Sequence, residues 1–173
     1  MLKLLLQDWG FTRQGWRSGE HGEYLVLVQG ALLIGFVLLP IYRPASWVLD
    51  SPNLLYLRWG IAAALGFSAC LLIGKGLLDL GDNLTPLPYP KENGQLVRSG
   101  VYSIVRHPLY SGLIFAALGW VVLQLSLSHL IAAAVLFAFF DAKARREEAW
   151  LTEKYPEYSE YRQQVKKLIP GLY

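Results

Sequence analysis

The run Leu109–Phe140 holds thirty-two residues without a formal charge, and it constrains the fold more than any other feature of the chain. As one helix it would reach about 48 Å at about 1.5 Å per residue. The hydrocarbon core of a bilayer is only about 30 Å thick. The run must therefore fold back on itself, and the polar patch Ser126-Leu-Ser-His129 at its middle is the natural place for a tight turn between antiparallel helices. Two more apolar runs precede it. Tyr24–Tyr42 has nineteen uncharged residues, and Leu54–Gly74 is broken only by Arg58, close enough to the end to snorkel. Hydrophobic residues make up 54% of the 173. The expectation is a single-domain, all-α integral membrane protein with about four transmembrane helices over residues 1–173. Residues 1–76 would supply an N-terminal segment and two helices, and residues 77–173 the chemistry-bearing part.

Basic residues orient these helices. Arg98, Arg106, Lys143, Arg145, Arg146, Lys154, Arg162, Lys166 and Lys167 all fall in the 79–108 loop or the tail, and Lys3, Arg13 and Arg17 precede the first helix. The opposite side offers only Arg43, and Arg58 where the second helix starts. By the positive-inside rule both termini and the 79–108 loop face the cytoplasm. A net charge of +3 without a dense basic stripe suits anionic lipid headgroups and excludes nucleic acid as the expected partner. The short patch Leu4–Leu6, soon followed by Asp8 and Arg13, does not read as a signal peptide. Residues 1–20, with Trp9, Phe11 and Trp16, read as an interfacial segment. Cys70 is the only cysteine and lies within an apolar helix, so neither a disulfide framework nor a thiol metal site is expected.

Chemistry concentrates at one depth. Pro108 suits the first turn of a helix, where its missing N–H is no loss. It places Tyr102, Arg106, His107 and Tyr110 at the mouth of the third apolar helix. The loop before it carries Pro86, Pro88, Pro90, Gly81, Gly94 and Gly100 interleaved with Leu84, Leu87, Leu96 and Val97, which points to an ordered lid. Each arm of the hairpin is about eighteen residues, or about 27 Å. Glu147 therefore returns to the level of His107 and Pro108. Lys143 and Glu147 share one helix face, Arg145 and Glu148 another, as a salt-bridged helix end would. Tyr158 and Tyr161, with Trp150 and Leu151, form an amphipathic strip that would lie on the membrane or cap the loop.

The pattern Gly100-x-Tyr102-x-x-x-Arg106-His107-Pro108-x-Tyr110, then Glu147-Glu148-x-x-Leu151, Tyr155-x-x-Tyr158-x-x-Tyr161-Arg162 and Ile169-Pro170 resembles the isoprenylcysteine carboxyl methyltransferase family, within a wider group that includes phospholipid methyltransferases. The resemblance covers roughly residues 77–172. It implies an S-adenosylmethionine-dependent methyltransferase whose cofactor pocket is built by a cytoplasmic loop, the His-Pro helix and the C-terminal helical tail. Carried over, cofactor binding falls to Gln95, Leu96, Val97, Tyr102, His107, Pro108, Leu109, Tyr110 and Glu147. The family usually places an arginine on the substrate four residues before the first glutamate. Lys143 stands there, with Arg145 two positions on, and lysine lacks the bidentate fork that suits carboxylates.

The implied reaction is an in-line displacement at a sulfonium methyl, which needs alignment and exclusion of water. Tyr102 or Tyr110 would face the sulfonium by cation–π contact, and Glu147 would accept bonds from the cofactor's amine or ribose hydroxyls. His107 would orient the cofactor or deprotonate an amine or hydroxyl acceptor. His107, Lys143 and Arg145 are the candidate catalytic residues, and no metal is implied. The expected partners are membrane lipids and a lipophilic methyl acceptor: a prenylcysteine-type carboxylate, or another hydrophobic acid, amine or alcohol. The competing readings are a phospholipid N-methyltransferase, an NADPH-dependent membrane reductase, and a non-catalytic membrane accessory protein.

Overall fold

The computed structural model describes residues 15–47 and 51–173, and in that range it is helical. A single turn, α1 (Gly15–Ser18), leads into α2 (Glu23–Leu38). Helix α3 (Pro52–Leu80) is followed by an irregular strap, residues 84–99, and a short 3-10 turn (Gly100–Ser103). Then come α4 (Pro108–Gln124), α5 (Leu127–Lys154) and α6 (Tyr158–Gln164). The expectation for Trp9 and Phe11 lies outside the described residues.

By length and composition α3 and α5 are long and apolar enough to cross a membrane, while α2 and α4 are shorter apolar helices of 16 and 17 residues. The most apolar window of α3 is only 17% buried against the rest of the protein. Tyr56, Phe67, Leu78, Ile34 and Val37 are all well exposed. Water-facing surfaces of monomers rarely carry so much contiguous apolar area. Lipid tails would solvate it without penalty.

The turn in the long apolar run falls where the polar patch begins. Leu125 adopts the left-handed conformation (φ 50°), and Ser126 caps α5, its hydroxyl accepting from the His129 N–H at 3.3 Å. The turn is tied to the chain leaving α2. The Ser128 hydroxyl donates to the Pro40 carbonyl at 2.6 Å, and Arg43 donates twice to the Gln124 carbonyl.

Helix α4 packs closely along α3 because a small residue sits at the crossing. A Cβ on Gly112 would lie 2.5 Å from Ile73 Cγ1 and 3.1 Å from the Ala69 carbonyl oxygen. Where lipid removes the hydrophobic drive for helices to associate, close backbone approach of this kind supplies the contact energy. Ile114, Ala117, Val121, Ala133, Leu136 and Phe140 then form the α4–α5 core, closed at one end by Leu168 from the tail.

Helix α3 runs six residues past the expected apolar stretch, to Leu80. Lys75 and Asp79 sit one turn apart and pair at 3.1 Å, so charge ends the apolar surface there without ending the helix. Asp79 also receives the Val101 N–H at 2.8 Å. That contact explains Gly100: its φ is 63°, and a Cβ there would lie 2.1 Å from the Asp79 carboxylate. The strap begins after this helix end, not at Asp79.

Candidate functional site

At one end of the helices the strap, the start of α4, the outer part of α5 and the tail enclose a cavity of about 390 Å³. This is within the size range of small-molecule sites. Its wall is built by side-chain bonds to backbone. Asn83 holds the Gln95 N–H at 2.7 Å, the Tyr155 hydroxyl donates to the Gly94 carbonyl at 2.7 Å, and Lys154 donates to the Lys91 and Glu92 carbonyls. These bonds make the 84–99 segment an ordered cover, as its alternation of prolines and apolar residues suggests.

Opposite the strap, Arg106 and His107 enter α4 with their side chains buried and both engaged by Glu148. Arg106 Nε donates to Glu148 Oε1 at 2.8 Å, and His107 Nε2 lies 3.1 Å from the same oxygen. Arg106 also donates to the Arg162 carbonyl at 3.0 Å and to that of Val165. The backbone N–H groups of Arg106 and His107 donate to the carbonyls of Lys166 and Lys167. One guanidinium thereby ties α4, α5 and the tail together, in the planar multi-donor geometry that suits arginine.

Glu147, one residue on and turned about 100° around the helix, faces the cavity instead. It accepts the Tyr110 hydroxyl at 2.7 Å and lies 3.6 Å from His107 Nδ1. The His107 and Tyr110 rings stack at 5.3 Å with 7° between their planes, and Tyr110 stacks further on Phe140. Tyr158 and Tyr161 come from α6 and are buried, so the tyrosine strip caps the cavity. The Tyr161 hydroxyl donates to the Tyr102 carbonyl at 2.5 Å. Tyr158 is 1% exposed, and its hydroxyl has no hydrogen-bond partner among the described residues although the residue lines the cavity. Burial first, and the nearby Glu148 carboxylate second, push the Tyr158 phenol above its usual pKa. It stays a hydroxyl. Tyr102 is pushed up in the same way, by burial and then Glu147.

Of the residues read from the sequence, Gln95, Leu96, Val97, Tyr102, His107, Pro108, Leu109, Tyr110, Lys143 and Glu147 all line this cavity. Arg145 does not. It is exposed and pairs with Asp141 at 2.6 Å, because two helical positions from Lys143 is about 200° around the axis. Lys143 is not paired with Glu147 at a solvated helix end as its spacing suggested. It is 1% exposed and donates to Gln29 Oε1 on α2 at 2.6 Å, with its amine 5.1 Å from the centre of the Tyr110 ring. The sequence reading missed Glu148, Gln29, Tyr158 and Tyr161 as site residues. Gln29 carried a signal, as the one amide in the apolar run Tyr24–Tyr42. Glu148 carried a signal as the neighbour of Glu147, because a helix turns it about 100° away from the cavity that Glu147 faces.

Among the described residues no group of three or more potential metal-ligating side chains comes together. The donor set instead suits an organic cation bearing hydroxyls and an amine. The cavity offers a carboxylate (Glu147), an aromatic stack (His107 and Tyr110), strap backbone at Leu96 and Val97, and a buried hydroxyl in want of a partner (Tyr158).

Comparison with known proteins agrees with that chemistry. The chain is 35% identical over 115 residues to the protein-S-isoprenylcysteine O-methyltransferase of Schizosaccharomyces pombe, an alignment covering 62% of this chain and 48% of the yeast protein. It is 31% identical over 163 residues to a methanethiol S-methyltransferase of Pseudomonas sp., covering 87% of this chain and 60% of that one. The chain thus spans about half the length of the yeast relative and three fifths of the bacterial one. A solved structure of a eukaryotic intramembrane Ras methyltransferase, an isoprenylcysteine carboxyl methyltransferase, superposes with a TM-score of 0.61 at 20% identity, over 94% of this chain and 55% of that chain. The shared fold is that of a membrane protein. Residues 57–158, which run from α3 to the first residue of α6 and contain the strap, the His-Pro corner and both glutamates, match the phospholipid methyltransferase family, and the chain belongs to that family of membrane methyltransferases.

Proposed function

We propose that this protein transfers a methyl group from S-adenosylmethionine to a lipophilic acceptor at the cytoplasmic face of a membrane. The observation that carries the reading is the two-sided lining of one cavity. Glu147, His107, Tyr110 and Tyr158 gather on its polar, aromatic side, while Ile73, Leu77, Leu109 and Leu113 line its apolar side, where α3 and α4 meet.

S-adenosylmethionine, when bound, supplies an electrophilic methyl group on a sulfonium. The protein's own contributions follow from the geometry. Glu147 is anchored by Tyr110 and presents its carboxylate to amine or hydroxyl donors. The Tyr110 ring, stacked between His107 and Phe140 with the Lys143 amine 5.1 Å from its centre, forms the aromatic wall beside that carboxylate. His107 has Nε2 committed to Glu148, which favours the orienting role over that of a base. Strap and tail roof the cavity, and water held back by them and by a bound ligand would strengthen every electrostatic contact inside. In the four-span arrangement the strap, the start of α2 and the C-terminal tail lie on the cytoplasmic side and the Leu125–Ser126 turn on the other, in accord with the basic residues.

The alignment with a methanethiol S-methyltransferase over 87% of the chain favours a second acceptor class, a small thiol. The test is incorporation of tritiated methyl from S-adenosylmethionine into a total membrane lipid extract, with methanethiol as a parallel acceptor. It is combined with calorimetric titration of S-adenosylhomocysteine into the detergent-solubilised protein. Binding that weakens on Glu147→Gln, together with transfer to one acceptor class, is the expected result. No binding at millimolar ligand would overturn the reading.

A further inference from the structure

We propose that the Lys91–Gly94 flank of the strap is a lid over the cavity, latched by Lys154 and Tyr155 at the α5–α6 corner, and that its unlatching sets the rate of cofactor exchange. The inference rests on the methyl-transfer reading for the identity of what passes. The latch itself is read from the strap.

The strap is a loop with a closed base. Asn83 holds both of its ends. Its side-chain amine donates to the Leu80 carbonyl at 3.2 Å, and its side-chain oxygen accepts the Gln95 N–H at 2.7 Å. Residues 84–94 therefore leave and return at one point, in the manner of an Ω-loop. Pro86, Pro88 and Pro90 fix the backbone at three places within it, and the Leu87 N–H donates to the Thr85 hydroxyl at 3.1 Å.

The two flanks of this loop are held differently. On one, Pro88 is fully buried and lies against Gly22 at the α1–α2 corner, where a Cβ would come within 2.4 Å of the proline ring. The other flank is a tight turn, closed by the Gly94 N–H donating to the Lys91 carbonyl at 3.0 Å. Its carbonyls are held from outside. The Lys154 amine donates to those of Lys91 and Glu92, and the Tyr155 hydroxyl to that of Gly94 at 2.7 Å. Parting the first flank would expose apolar surface to water. Parting the second hands its carbonyls to water, so each bond is worth only its small net advantage over hydration. The polar flank is the one that opens. Lys91, Gly94 and Tyr155 all line the cavity, so the bonds among them cross its rim and lifting that flank uncovers it. Leu96 and Val97 line the same cavity and follow the base at Gln95, so this wall stays in place as the lid lifts.

Lys154 and Tyr155 hold the lid by its own backbone, without a ligand. The latch thus favours closure equally with the cavity empty or filled. Loosening it should speed entry and exit together and leave affinity nearly unchanged, whereas loss of a ligand contact would weaken affinity.

The experiment reads the lid in two ways on the whole chain in phosphatidylcholine nanodiscs. Hydrogen exchange of the Gly94 amide follows opening with no ligand present. Release of tritiated S-adenosylhomocysteine follows the gate. Tyr155→Phe, which keeps the ring, should speed both by roughly two- to thirteen-fold, the span of one neutral hydrogen bond. Lys154→Met should act in the same direction, and Lys154→Arg, which keeps the donors, should hold wild-type rates. In every variant the dissociation constant should stay within about twofold of wild type. Unchanged exchange in both Tyr155→Phe and Lys154→Met overturns the latch, as does acceleration that extends equally to the amides of α4. Faster exchange with wild-type release, or weaker affinity with wild-type release, overturns the gate. A protein whose Gly94 amide responds but which binds no S-adenosylhomocysteine would refute the cofactor reading and uphold the latch.

Discussion

Removing the Tyr158 hydroxyl should move stability and ligand affinity in opposite directions. The side chain is almost fully buried, and its ring packs edge-on against Tyr161 at 5.6 Å. Its hydroxyl has no hydrogen-bond partner among the described residues, and a buried polar group left unpaired costs about 1–3 kcal/mol. Tyr158→Phe keeps the ring contact and deletes the unpaired group, so the ligand-free protein should gain about 1–3 kcal/mol. For a chain of this length that corresponds to a rise in melting temperature of about 2–4 °C per kcal/mol. The bound state should behave oppositely. If the hydroxyl finds its partner on a cofactor in the cavity, its loss removes a hydrogen bond worth about 0.5–1.5 kcal/mol. S-adenosylhomocysteine should then bind about two- to thirteen-fold more weakly. Burial holds the phenol in its neutral form, so neither effect should depend on pH between 6 and about 9, below the ordinary tyrosine value. Thermal unfolding in detergent with and without ligand, together with calorimetric titration, measures both quantities. A variant that is less stable without ligand and binds it as tightly as wild type refutes the reasoning. It would mean that the hydroxyl is satisfied within the protein and takes no part in the site.

Glu148→Gln should destabilise the protein by about 3–5 kcal/mol, because it leaves the Arg106 guanidinium buried against a neutral amide; an unfolding midpoint equal to that of wild type would detach the arginine from the architecture. Gly112→Val should cost about 1–3 kcal/mol through overpacking at the α3–α4 crossing, where even a Cβ lies 2.5 Å from Ile73, and denaturant unfolding would reveal a neutral effect if the helices can separate freely. Arg145→Ala should leave both cofactor affinity and turnover at wild-type values, since Arg145 lies outside the cavity and pairs with Asp141. In a Cys70→Ala background on intact cells, a cysteine at Ser128 should react with an impermeant thiol reagent and one at Ser99 should not; the reverse pattern would invert the orientation read from the basic residues.

The helices were legible because their apolar runs are long and their boundaries carry local signals. Pro108 announces the start of α4, and Ser126 caps the start of α5. Charge was a poorer guide to where a helix stops. Lys75 and Asp79 lie on the surface of α3, pair with each other and let it continue to Leu80. The cavity lining was legible through the His-Pro corner and the glutamate pair, since the arm lengths of a hairpin place both at one depth. Partnerships were less so. Spacing allowed Lys143 to reach Glu147, but a one-turn ion pair is worth only about 0.3–0.5 kcal/mol. The tertiary contacts to Gln29 and Tyr110 prevail over it. No rule of spacing within one helix can foresee a partner 114 positions away in the chain.

The two adjacent glutamates divide the work by geometry alone. Consecutive helical positions point about 100° apart, so one carboxylate can face the cavity while its neighbour turns into the protein. Glu147 remains a quarter exposed and meets Tyr110 on the cavity side. Glu148 is 5% exposed and holds Arg106 and His107. The inward carboxylate joins the tail to the site as well, because the guanidinium it pairs with also donates to the carbonyls of Arg162 and Val165. Loosening α6 would therefore loosen Arg106, then Glu148, and with it the histidine that stacks on the cavity's aromatic face. The element that carries Tyr158 and Tyr161 over the cavity and the histidine at its aromatic face are thus tied to the same buried arginine.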